Sequence, residues 1–251
     1  MDNNSYIFKK VCDSMTIYMQ SQSSNSKVNF LAGYPYECIS PKDSKRSRIP
    51  ATTALNLMAS FIVHVAENNG PVNAAMNAAK QYIDQHDEFY EPTKNFEDVL
   101  FKAMYCLPAK YVPLIIKKGL DVNEKRAHPI YTELNAEKSY PMLAFAAYQG
   151  DSEKIKALFD VGADKSSGFV AAGLCVGSEI ITAEQKMACL SELKMGGADF
   201  LSVNEYRYLI DRCQDERVYD WLEEEKEAYE ARKIVAHQSK KINISSQKER
   251  V

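Results

Sequence analysis

The sequence is poor in the residues that punctuate turns and strands, with ten glycines and nine prolines among 251 positions. That scarcity argues against a strand-and-turn-rich fold and favours helices. Long apolar runs are missing too. The longest, Phe61 to Ala66, contains His64 and is far too short to span a bilayer, so no membrane partner is expected. The first residues, Met1-Asp2-Asn3-Asn4-Ser5, lack the basic stretch and apolar run of a secretory signal. No two of the six cysteines (Cys12, Cys38, Cys106, Cys175, Cys189, Cys213) form a C-x-x-C pair. They read as free thiols in a reducing cytosol, several of them small buried hydrophobes, and neither a zinc site nor a redox centre is expected. The net charge of -3 gives no global reason to expect nucleic acid.

Signatures of chemistry are equally scarce. There is no phosphate-binding glycine loop, no H-E-x-x-H and no nucleophile elbow, and no cofactor or metal is expected. Of the four histidines, His64 lies in an apolar helix and reads as packing. His86 sits beside Asp87 and Glu88 without a second ligand set, and reads as a helix end. A thiol at Cys12 or Cys38 with His64 or His86 as base is the one catalytic pairing the chain offers towards its amino end. Nothing beyond the residue types indicates it.

What is present is a repeat. Ile116-Lys117-Lys118-Gly119-Leu120-Asp121, Phe159-Asp160-Val161-Gly162-Ala163-Asp164 and Lys194-Met195-Gly196-Gly197-Ala198-Asp199 end alike. Val112, Ile155 and Leu190 lie seven residues before the aligned glycine, and Ile115, Leu158 and Leu193 lie four before it. Such spacing is a helical stripe, and the glycine suits the left-handed residue that ends a helix. The middle unit is clearest, running Pro141-Met142-Leu143-Ala144-Phe145-Ala146-Ala147-Tyr148-Gln149-Gly150 and then Asp151 to Asp164. Ala146 and Ala147 allow close packing, Gly150 permits a tight turn, and Asp151 can cap the second helix.

This unit resembles the ankyrin repeat, whose pattern is T-P-L-H-x-A-A-x-x-G, a loop, a second helix and G-A-D. It departs where Pro141-Met142 replace Thr-Pro and Ala144 replaces the histidine. The resemblance covers Phe96 to Trp221, with Leu100, Ala103 and Met104 on an earlier first helix and Pro113 in the first turn of the helix after it. From Asp121 to Asp164 is 43 residues, against a family period of about 33. The excess falls in Val122 to Tyr140, the finger loop. Thr182 with Gln185, and Ser202 with Glu205, read as capping boxes.

The expected architecture is all-α, an ankyrin-like helical repeat solenoid with an additional amino-terminal helical portion. Residues 1–50 read as a helix (Ser5 to Gln20) with irregular chain and a basic loop (Lys42 to Arg48) that is a solvated surface. Residues 51–95 read as a helical pair, cap or small bundle. Residues 96–222 read as repeats with a carboxyl-terminal cap, and 223–251 as a charged helix with a disordered end. The acidic block Glu223 to Glu230 resembles the glutamate-rich translocation signals of bacterial type IV secretion substrates. The chain from Arg232 onward is basic.

The resemblance implies a protein-binding module whose concave face carries Tyr105, Tyr148 and Gln149. The enlarged finger adds Lys125, Arg126, His128 and Tyr131, of which tyrosine and arginine are the types most often energetic at interfaces. The partner expected is a protein and the compartment the cytoplasm, or a host cytosol for a secreted bacterial effector. Two alternatives stand beside a binding module or adaptor. One is an enzyme with an amino-terminal thiol site whose repeats choose the substrate; the other is a neutralising partner of a toxin or effector.

Overall fold

The computed structural model describes residues 51–67, 69–85, 91–127 and 139–248. The helix expected over Ser5 to Gln20, the basic loop Lys42 to Arg48, and His86 lie outside them. Described residues are mostly helical, with ten α-helices and two three-residue strands. The chain is all-α in character. It divides into two compact units, 1–140 and 141–251, a boundary inside the span read from sequence as one repeat array.

The first unit is built on α1 (Ala51–Glu67), α2 (Val72–Gln85) and α3 (Pro92–Cys106). Helical spacing explains what each buries. Leu55, Met58, Ile62 and Ala66 form the inner stripe of α1, and Val72, Ala75, Met76, Ala79 and Ile83 that of α2. Val65, three residues past Ile62, is only half-buried. All three helices touch one another. Proline opens α3, where no amide partner is needed, and Phe96, Leu100 and Met104 face the core. After a 3-10 turn at Ala109–Tyr111 comes α4 (Val112–Lys117), with Pro113 in its first turn and Val112 and Ile115 buried. A two-stranded ribbon, β1 (Lys125–Ala127) with β2 (Ser139–Pro141), closes the base of the finger.

The second unit contains α5 (Met142–Tyr148), α6 (Ser152–Asp160), α7 (Gly168–Val176), α8 (Ala183–Met195), α9 (Val203–Arg212) and α10 (Glu216–Lys248). Within pairs, α5 packs on α6, α7 on α8 and α9 on α10. Between pairs, first helices touch first helices (α5 on α7, α7 on α9) and second helices touch second helices (α6 on α8, α8 on α10). Every residue from Met142 to Ala147 is at most 1% exposed, so all of α5 but its last residue is core. Ile155 and Leu158 are fully buried, each burial contributing about 1.5–3 kcal/mol.

The aligned glycines share one geometry. Gly119, Gly162 and Gly197 have φ of 109°, 96° and 86°, and each amide donates to the carbonyl three residues earlier at 3.0 Å. Ala163 and Ala198 then donate to Leu158 and Leu193 at 2.9 and 3.0 Å, closing a Schellman turn. Asp151 caps α6 by accepting the Lys154 amide at 2.9 Å. Thr182 and Gln185 form the capping box of α8. The box expected at Ser202 does not form: its side chain makes no cap hydrogen bond, and α9 opens on the backbone bond from Tyr206 to the Ser202 carbonyl alone. The last helix continues to Lys248, into the stretch read from sequence as a tail.

Candidate interaction surface

In the first unit, the residues expected to bind separate into different environments. Tyr105 is 7% exposed and packs within the unit, so its ring is core and not a presented contact. Lys125 is exposed on β1. Arg126 is half-buried and engaged: Nη2 donates to both Glu124 carboxylate oxygens at 2.9 Å and approaches Glu97 at 3.4 Å. Nη1 reaches Asp98 at 3.3 Å, and the guanidinium lies 5.8 Å from the Phe101 ring centroid. Three carboxylates and an aromatic face thus pin the base of the finger to α3. His128 and Tyr131 lie outside the described residues.

In the second unit, the carboxyl-terminal ends of α5, α7 and α9 come together. Ser178, just past α7, donates its hydroxyl to the Tyr148 carbonyl at 2.9 Å. Tyr148 and Gln149 are half-buried at this edge, and among the described residues the enclosed Gln149 Oε1 meets no donor. Gly150 (φ 75°) turns tightly there, since a Cβ on it would lie 2.9 Å from Ile181 Cγ2.

Beside this edge stands a ladder the sequence reading missed. The Phe169 and Tyr208 rings meet edge to face at 5.3 Å, and the Arg212 guanidinium lies 5.2 Å from the Tyr208 centroid. It rests on Gly173 of α7 and on Gly177, which caps that helix. A Cβ at Gly173 would sit 3.2 Å from Tyr208 Cε1, and one at Gly177 3.6 Å from Arg212 Nη2. The signal was present as a pair of i, i+4 spacings, Gly173 with Gly177 and Tyr208 with Arg212, that only the packing of α9 on α7 connects. Tyr208 is 45% exposed and Val170 40%, so the ladder offers an aromatic and cationic face to solvent.

Two thiols of this unit, Cys175 and Cys213, are pushed towards the protonated form. Cys175 and Cys189 are fully buried. The Cys175 pKa lies well above the ordinary thiol value, through its hydrogen bond with Cys189 and then burial, against a smaller pull from Lys186. Burial also raises Cys213, whose Sγ donates to the Asp215 carbonyl at 3.3 Å. Lys186 is itself 8% exposed and donates to the Val176 carbonyl at 2.9 Å, satisfying the end of α7. Such groups pack and cap; none is poised as a nucleophile. Among the described residues no three His, Cys, Asp or Glu side chains cluster as metal ligands, and no helix is long and apolar enough to cross a membrane.

The chain matches no protein-family model, no curated protein and no solved structure.

Proposed function

We propose that this chain is a protein-binding module, a divergent ankyrin-like solenoid that grips a partner protein through its first-helix edge. The observation that carries the reading is the recurrence of one helix-ending turn at Gly162 and Gly197, joined to the order of contacts, first helix on first helix and second on second. Helix pairs stacked this way line up the ends of their first helices, and a contiguous edge of that kind is what repeat proteins use for binding. Tyr148, Gln149, Tyr208 and Arg212 are its contact residues. Tyrosine and arginine give large contact area with a polar end. A bacterial effector or adaptor, working in the cytoplasm or in a host cytosol, is the setting this reading favours.

The position of Arg126 changes the choice of test. Because it ties the finger to α3, its removal alters stability as well as any contact. Tyr148→Ala, Tyr208→Ala and Arg212→Ala are the cleaner variants. Affinity capture from lysates of source and host, read by mass spectrometry, should lose the same protein with each variant while melting temperatures stay close to that of the parent. Undiminished capture by all three would remove this edge from the interface.

A further inference from the structure

Two of the described arginines stand apart from the rest. Arg126 meets Glu97, Asp98 and Glu124, Arg217 meets Glu184, and Arg232 meets Glu225. Arg207 and Arg212 are exposed on α9, and neither has a carboxylate partner among the described residues. Acids are close by in the chain. Asp211 precedes Arg212, and Glu179 lies two residues past Gly177. Arg212 lies over the Tyr208 ring instead.

Arg212 is nonetheless held in place. The Tyr208 ring beneath it is fixed by Phe169, and both Tyr208 and Arg212 lie against α7 where Gly173 and Gly177 leave the room. An arginine beside the end of a helix ordinarily donates to its last carbonyls. Here three of those are already taken. The Gly177 and Ser178 amides donate to Gly173 and Cys175, and the Lys186 ammonium donates to Val176. Arg212 therefore neither caps α7 through these groups nor closes an ion pair within the described residues. Its planar fork is oriented by stacking while its N–H donors remain open to a ligand. A carboxylate is the group that such a fork binds through two parallel hydrogen bonds. Ordering the long side chain beforehand lowers the entropy lost on binding.

Apolar surface adjoins the fork. Val170 shares a helical stripe with Gly173 and Gly177 and is 40% exposed, and Ile180, in the loop after Gly177, is 62% exposed. We propose that this edge reads an acidic segment of its partner protein, an Asp or Glu carboxylate docking on Arg212 and a neighbouring apolar side chain resting on Tyr208 and Val170. The inference rests on the first-helix edge being the binding face, and adds the chemistry of what binds there. Arg207 supplies a second unpaired positive charge on the same helix, favouring the same sign of partner.

Random peptides displayed on phage, selected against the full chain and then measured by fluorescence anisotropy, test this. Peptides that need Tyr208 should carry an Asp or Glu, and changing that acid to its amide should weaken binding about tenfold or more. With Arg212→Gln the acid and amide peptides should bind alike. Arg212→Glu should turn the selection towards Lys and Arg, and melting temperatures close to the parent's separate this from a folding defect. Peptides that need Tyr148 or Tyr208 yet show no preference for acid overturn the Arg212 assignment and leave the edge as the binding face. Selections yielding no peptide that depends on either tyrosine overturn both. Displacement of the acidic peptide by a single-stranded RNA at lower concentration than by the unlabelled peptide overturns the choice of a protein ligand.

Discussion

The Asp151 carboxylate accepts the Lys154 amide at 2.9 Å and pairs with the Lys154 ammonium at 3.2 Å, so one side chain caps the helix and faces its buried cation. The Lys154 side chain is only 3% exposed. Removing the carboxylate therefore costs more than an ordinary cap. Asp151→Ala should destabilise the chain by about 2–4 kcal/mol, the sum of a lost cap and a poorly compensated buried charge. Asp151→Asn keeps the cap and loses the charge, and should fall between. Urea unfolding of the three proteins checks the order; equal stability of the parent and the asparagine variant would show that the ion pair contributes nothing.

Gly196 and Gly197 should fail for different reasons. A Cβ on Gly196 would lie 2.2 Å from the Phe159 ring, whereas at Gly197 the positive φ of 86° is the obstacle. Gly162 has nothing within 4 Å, so Gly162→Ala isolates the backbone cost, about 1–2 kcal/mol. Gly162→Asn should be milder, since asparagine tolerates left-handed backbone. Gly196→Ala should cost more than Gly162→Ala because the ring must move. Thermal melts of the three variants give the ranking.

His64 supplies an acid-sensitive element. Burial of the ring pushes its pKa below the usual 6.5, against a smaller opposing pull from Glu67. The unfolded chain then binds the proton more readily than the folded one. Stability from the neutral ring is full above the unfolded value of 6.5 and is lost as the pH falls from there through the lower folded value. His64→Gln should flatten that part of the slope. The measurement is the difference in unfolding free energy between parent and variant across this acidic range, and a difference that does not change with pH would refute the assignment.

Thiol accessibility separates binding from catalysis. With an alkylating reagent and residue-resolved mass spectrometry, Cys175 and Cys189 should remain unlabelled until the chain unfolds, while half-buried Cys106 and Cys213 react slowly. The enzyme alternative rests on Cys12 or Cys38, both outside the described residues. Labelling of either at neutral pH far faster than Cys106 would support that alternative.

Arg126→Ala should loosen the base of the finger and lower stability by about 1–3 kcal/mol, because Glu97 and Glu124 lose the cation that joins them to Asp98, which keeps only its pair with Lys102. Arg126→Lys should recover only part of this, since an ammonium cannot reproduce the forked contacts. Hydrogen exchange at β1 and α3 reports the loosening directly.

Local features were legible where the physics is local. The cap at Asp151, the box at Thr182 and the glycine turns follow from side-chain to amide reach and the need for positive φ, all within a few residues. The box at Ser202 has the same letters and does not form: α9 carries the same opening backbone bond as α8, but the Ser202 side chain makes no cap hydrogen bond. Tyr105 reads as surface by alignment yet is buried, since a loose repeat match says little about rotation of the helix it sits on.

The surface was much less legible. Arg126 reads as a free contact until α3 brings up Glu97 and Asp98, some thirty residues earlier in the chain. The Phe169, Tyr208 and Arg212 ladder likewise needs α9 to settle over Gly173 and Gly177. Sequence by itself determined that this chain is mostly helical, where two of its helices are capped, and which small residues turn it, because propensity, capping and backbone freedom act over one or two turns. Only tertiary structure decided which charged and aromatic side chains are spent on packing and which face outward, because that depends on residues distant in the chain and close in space.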